Sequence, residues 1–176
     1  MLVTHISASA GALAWMGIEW FKHGKPSVLG IVTGMVAGLG TITPASGFVG
    51  AGGALAIGLV AGIVCYFATQ LFKRTLHIDD SLDVFPVHGV GGILGTLLAG
   101  VFVAESLGGA GYAEGMNMGS QLLTQAVGVV ATAVWCGLAT WLLLRLTQAL
   151  VGLRIAPERE TEGLDLSEHD ERGYII

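Results

Sequence analysis

Charge is what this sequence has least of. Lys, Arg, Asp and Glu make up 12% of it while 53% is hydrophobic; an ordinary soluble domain carries about a quarter charged residues. Proline is scarce too, four residues against 28 glycines, so few positions forbid a helix. The two cysteines, Cys65 and Cys136, both lie inside apolar runs. There they act as small apolar residues, and neither a disulfide framework nor a metal site is implied. The net charge is −5 and no basic patch is interleaved with aromatics, which argues against a nucleic-acid partner. No charged stretch precedes the first apolar run and no small-residue cleavage site follows it, so no signal peptide is expected. With no metal-ligand spacing and no nucleophile beside a base, an enzyme is not expected either. The composition predicts an all-α polytopic membrane protein.

Five apolar segments are expected to be transmembrane helices: about 1–21, 28–43, 53–72, 84–103 and 119–150. Trp15 and Trp20 close the first, spaced like an interfacial belt. Gly30, Gly34 and Gly38 put a small residue at every fourth position of the second, and Gly58 and Gly62 repeat that spacing in the third. Such stripes let helices approach closely, within a subunit or between subunits. The fifth segment would be roughly 45–50 Å long, so it must tilt or extend beyond the bilayer. Its polar start (Ser120, Gln121, Thr124, Gln125) favours an extension there.

The eight basic residues set an orientation. Lys22 and Lys25 follow the first segment, Lys73 and Arg74 the third, and Arg145, Arg154, Arg159 and Arg172 lie near or beyond the end of the fifth. Connections 44–52 and 104–118 hold none. The positive-inside rule then predicts the N-terminus outside and the C-terminus in the cytoplasm. Residues 1–154 form the membrane domain on this reading. Residues 155–176 form an acidic cytoplasmic tail whose seven acids and two arginines account for the whole net charge of −5. Its Gly163-Leu164-Asp165-Leu166 interruption could dock on the inner face. At the fourth segment, Asp80 and Asp83 resemble a capping box, with Ser81 as the alternative cap, and Pro86 lies near the first turn, where a missing N–H does least harm. Thr43-Pro44-Ala45-Ser46-Gly47, followed by further glycines, reads as a turn.

Inside the fourth segment sits one titratable side chain, His88, followed by Gly89, Gly91, Gly92 and Gly95. A polar group there is costly and points to function. Hydrogen bonding to another helix is the alternative, and the residues alone leave both open.

Several stretches resemble the ammonium transporters of the Amt/Mep/Rh family. Asp83-Val84-Phe85-Pro86-Val87-His88-Gly89-Val90-Gly91-Gly92 resembles that family's tenth helix. The run from Gly30 through Thr41-Ile42-Thr43-Pro44-Ala45-Ser46-Gly47-Phe48-Val49-Gly50 resembles its eighth helix and outer turn. Ser106-Leu107-Gly108-Gly109 with Gly111-Tyr112-Ala113-Glu114-Gly115 resembles the loop before its eleventh helix. Pro86 departs from the family form, which has Gly before the residue matching Val87. The resemblance covers essentially the whole chain and implies five helices, seven to eleven, of an eleven-helix fold. It further implies a homotrimer with one pathway per subunit, ammonium or ammonia as substrate, no cofactor, and a lipid bilayer as surroundings. His88 matches the second of two histidines facing each other in a narrow apolar lumen. Val84 and Asp83 are weaker candidates for its inner mouth, with a lipid or helix contact for Val84 and a helix cap for Asp83 as equal alternatives. Gly152, Leu153, Arg154, Gly163, Leu164 and Asp165 resemble the family's regulatory tail, which implies a PII-type cytoplasmic regulator. The partner histidine, aromatic gate and outer recruitment residues have no counterpart here. His5, near the outer end, His23 and His77, in cytoplasmic loops, and His169, in the tail, are expected to be ordinary surface or interfacial residues. Met1 opens directly into an apolar segment, as a shortened reading frame would. Part of a longer subunit is the expected role; a self-standing half, a non-conducting fragment and a sensor or partner-binding module are the alternatives.

Overall fold

The computed structural model describes residues 1–173, which are helical with no strand among them. They fall into two units, Met1–Val130 and the residues from Ala131 onward. In the first unit, α1 (Leu2–His23) stops at Gly24, whose φ of 77° lets its N–H return to the Trp20 carbonyl at 3.0 Å. Ser27 caps α2 (Val28–Ile42) by accepting the Gly30 N–H at 2.9 Å. The Glu19 carboxylate accepts from the Ser27 N–H at 2.7 Å and from Trp15 Nε1 at 3.2 Å, tying the two helices at their joint. Turns at 43–48 lead to α3 (Ala51–Gln70), which runs on into a π-helical turn, Leu71–Thr75. A second π-helical turn, Val84–Gly89, opens α4 (Val90–Phe102). The long α5 (Met118–Leu150) begins in this unit.

Small residues face inward and large ones outward, the reverse of a soluble bundle. On α3, Ala54, Ile57, Gly58, Ala61, Gly62 and Cys65 are buried, whereas Leu55, Leu59, Ile63 and Phe67 form an exposed stripe. A Cβ on Gly38 would run into the Ser7 backbone, and one on Gly62 would meet Gly11 and Ala14. The Ser7 hydroxyl donates to the Gly38 carbonyl at 2.9 Å across the same interface. The glycine stripes of α2 and α3 are therefore spent on packing within this unit, against α1.

Trp15 departs from the expected interfacial belt. It is 4% exposed and meets the Tyr66 ring edge-on at 5.3 Å, and of the pair on α1 just Trp20 is exposed. The cause is register: Ser7, Gly11 and Trp15 share one face of α1 at four-residue spacing, and Gly34 leaves room for the indole.

Ala51–Thr75, Val84–Phe102 and Met118–Leu150 are long and apolar enough to cross a membrane; α2 is apolar but has 15 residues. At roughly 22 Å it is shorter than a bilayer's hydrocarbon core. In the second unit, α5 exposes apolar side chains all round, and Arg145 lies 5.5 Å from the Trp141 ring. Two short helices follow, α6 (Pro157–Glu162) and α7 (Leu164–His169), joined at Gly163 with φ 104°.

Candidate functional site

His88 lies in the π-helical turn that opens α4, and its surroundings are built from Asp80 onward. The Asp80 carboxylate accepts the N–H groups of Val84 at 2.9 Å and Phe85 at 2.8 Å. Those bonds, Phe85 first and then Val84, hold its pKa below the ordinary aspartate value. Asp80 is thus the cap of this helix, but the expected capping box is not formed. Its returning arm is missing because the Asp83 carboxylate turns to Lys73 Nζ at 2.8 Å, while the Asp80 N–H goes to the Ile78 carbonyl at 3.0 Å.

Asp83 itself has φ 55°, a left-handed conformation that residues other than glycine rarely adopt. The Val87 N–H reaches back four residues to the Asp83 carbonyl at 3.0 Å, while Val90 reaches back five to Phe85. Pro86 and Val87 are buried, Val87 in a cluster with Trp15, Ala37, Cys65 and Tyr66. Gly91 and Gly95 bring α4 against Thr41 of α2, as expected for close approach; Gly92 meets nothing within 4 Å.

His88 is exposed, on the open side of the turn. Its Nδ1 would be 3.8 Å from a Cβ on Gly40, so a bare stretch of α2 backbone lies beside the ring. Among the described residues no side chain or backbone group hydrogen-bonds the imidazole, and the alternative of a helix-to-helix tether finds no support. The turn brings Val84, 54% exposed, and His88 together one turn apart. Asp83 is engaged with Lys73 instead.

Lys73 is the residue that sequence reasoning missed here. It counted only as a topological charge, and the spacing from 73 to 83 matches no helical or turn pattern. A cavity of about 220 Å³ lined by Pro44, Phe48, Val103, Tyr112, Gln121 and Gln125 does not include His88.

The tail residues are placed within the second unit. Gly152, φ 81°, ends α5 by donating its N–H to the Thr147 carbonyl at 3.2 Å. Leu153 and Leu164 are each 50% exposed. The Arg154 guanidinium grips Glu160 through two bonds, at 2.9 and 3.3 Å, and lowers the Glu160 pKa. Asp165 lies in the first turn of α7, where a carboxylate suits the helix dipole. His5, His23 and His77 are exposed on the first unit, and His169 on the second; His23 Nε2 is 3.3 Å from the Tyr66 hydroxyl.

Helices with small residues inside and large apolar ones outside, several of them long and apolar enough to cross a bilayer, define a multi-pass membrane protein. The Ammonium Transporter Family model matches residues 1–174, and the chain belongs to that family. It is 45% identical over 178 residues to an ammonium transporter of Aquifex aeolicus, covering 100% of this chain and 41% of that one. Among solved structures, Saccharomyces cerevisiae Mep2 superposes with a TM-score of 0.77 at 35% identity, over 89% of this chain and 37% of its own. A structure described as a sensor Amt protein superposes with a TM-score of 0.84 at 33% identity, over 95% and 40%. The chain spans less than half the length of the curated relatives it matches.

Proposed function

We propose that this chain supplies part of a transmembrane path for ammonium or ammonia and that His88 lines it. The observation that carries the reading is the His88 ring, exposed beside Gly40 and without a protein hydrogen bond among the described residues. Such a ring is available to a small polar guest. A bare cation entering an apolar lumen loses its hydration at large cost, whereas neutral ammonia does not. An imidazole can accept or donate one hydrogen bond and pass a proton without leaving a fixed charge. Val84 belongs to the same wall, toward the inner mouth. Asp83 borders that mouth, with its carboxylate directed to Lys73.

The helices are taken as five spans, with the N-terminus outside and the tail from 155 in the cytoplasm of a cell membrane. The distribution of basic residues supports that orientation. Family membership supports, as part of the same proposal, a homotrimer and a PII-type regulator at the inner face, with Gly152, Leu153, Arg154, Gly163, Leu164 and Asp165 as the tail residues that would respond. A second reading, sensing, is favoured by the likeness to the sensor Amt protein.

Methylammonium uptake into proteoliposomes tests the first reading. Uptake that His88→Ala changes is the expected result, and uptake indifferent to His88→Ala refutes the assignment. No uptake from well-inserted protein means that the path needs the further length its relatives possess.

A further inference from the structure

The second π-helical turn and Asp83, the residue before it, are joined to the first turn by two contacts across the loop between α3 and α4. Phe72 and Phe85 lie with ring centroids 5.1 Å apart, and Lys73 Nζ bonds Asp83 Oδ2 at 2.8 Å. The ion pair is unevenly exposed: the Lys73 side chain is 42% exposed but that of Asp83 only 16%, with Oδ1 buried and without a hydrogen bond among the described residues. Lys73 is therefore the cation that lets a largely buried carboxylate stay there, and removing it leaves that charge uncompensated. Asp83 is also left-handed, with φ 55°, a state that persists only where its surroundings over-determine it. The same residue begins the turn containing His88, through the Val87 N–H to Asp83 carbonyl bond.

We infer that the Lys73–Asp83 ion pair holds the π-helical turn Val84–Gly89 and thereby sets the direction in which His88 projects. A π-helical turn takes up one residue more than an α-helical turn. If Asp83 lets go, the turn can relax to the α register, and the side chains before α4 rotate by about 100°, one residue's worth. Val87 would leave its buried cluster and His88 its place beside Gly40. Lys73 is thus a positioning residue, acting on His88 through Asp83 and the backbone. Its importance to transport rests on the reading of His88 given above; its action on the turn does not.

The two are separated by observing the turn directly in the full chain in lipid nanodiscs. The probes are the ring ¹⁵N signals of His88, assigned with His88→Gln, and the carbonyl ¹³C signal of Phe85. Lys73→Met is expected to move both, Lys73→Arg to restore them, and Arg74→Met, one residue away, to leave them in place. Unmoved signals in Lys73→Met overturn the inference, whatever the transport data say. In proteoliposomes that show His88-dependent uptake, Lys73→Met should lower turnover by about ten- to a hundredfold, as expected for a misplaced group. Signals that move in a chain whose uptake ignores His88 would leave the device standing and remove the transport role.

Discussion

One carboxylate, Asp80, satisfies two N–H groups at the start of the turn that bears His88, and this makes its protonation a stability event. Its folded-state pKa lies below the ordinary aspartate value. Its contribution is therefore present above the unfolded pKa of about 4 and lost as pH falls through the lower folded value. Asp80→Asn removes the titration while keeping one acceptor oxygen. In thermal unfolding followed from neutral pH to about pH 3, the unaltered protein should lose more stability on acidification than Asp80→Asn, the two converging at the acid end. Parallel profiles would show that the cap does not couple to folding. At this scale the sequence disclosed a capping aspartate ahead of His88, because a cap follows from local pattern. It did not disclose Lys73 as Asp83's partner. The loop between them passes through two left-handed residues that are not glycine, His77 at φ 50° and Asp83 at φ 55°, and no turn signature announces that path.

Between elements, the decisive quantity is how closely backbones approach. The Gly38 position on α2 faces the Ser7 backbone of α1, so Gly38→Ala must push two helices apart. A loss of about 1–3 kcal/mol is expected, the usual cost of overpacking. Gly17→Ala, on α1 with nothing within 4 Å of the added carbon, should be tolerated. Unfolding in mixed micelles would compare the two, and equal effects would mean that helix propensity, not close approach, governs glycine here. The four-residue glycine spacing made this interface visible in the sequence, although not whether it served one chain or several. Trp15 was misread because its pairing is tertiary: an aromatic near a helix end suits a membrane interface as well as it suits Tyr66. The π-helical turns were not legible at all, since apolar spacing over five or six residues cannot distinguish one extra residue per turn.

For the molecule as a whole, hydropathy and charge give two separate lines of inference. Long runs poor in charge, and the helices of the structure, specify something that sits in lipid. The placement of the basic residues predicts which way round. Neither line depends on His88, so the orientation can fail without the site failing. Cysteine labelling distinguishes them. With Cys65 and Cys136 replaced by Ala, single cysteines at the exposed positions Ser46 and Ser106 should react with a membrane-impermeant maleimide added to intact cells. Lys25→Cys and Arg74→Cys, also exposed, should react only after the membrane is opened. The inverse pattern would put every loop lysine on the outer face, against the bias that governs short loops. It would also place the Lys73–Asp83 pair outside. Labelling of all four positions from one side would instead mean that fewer than five segments cross. The 15-residue α2 is where such a failure would begin, because a helix of roughly 22 Å reaches across the hydrocarbon core only if its ends or the bilayer adjust.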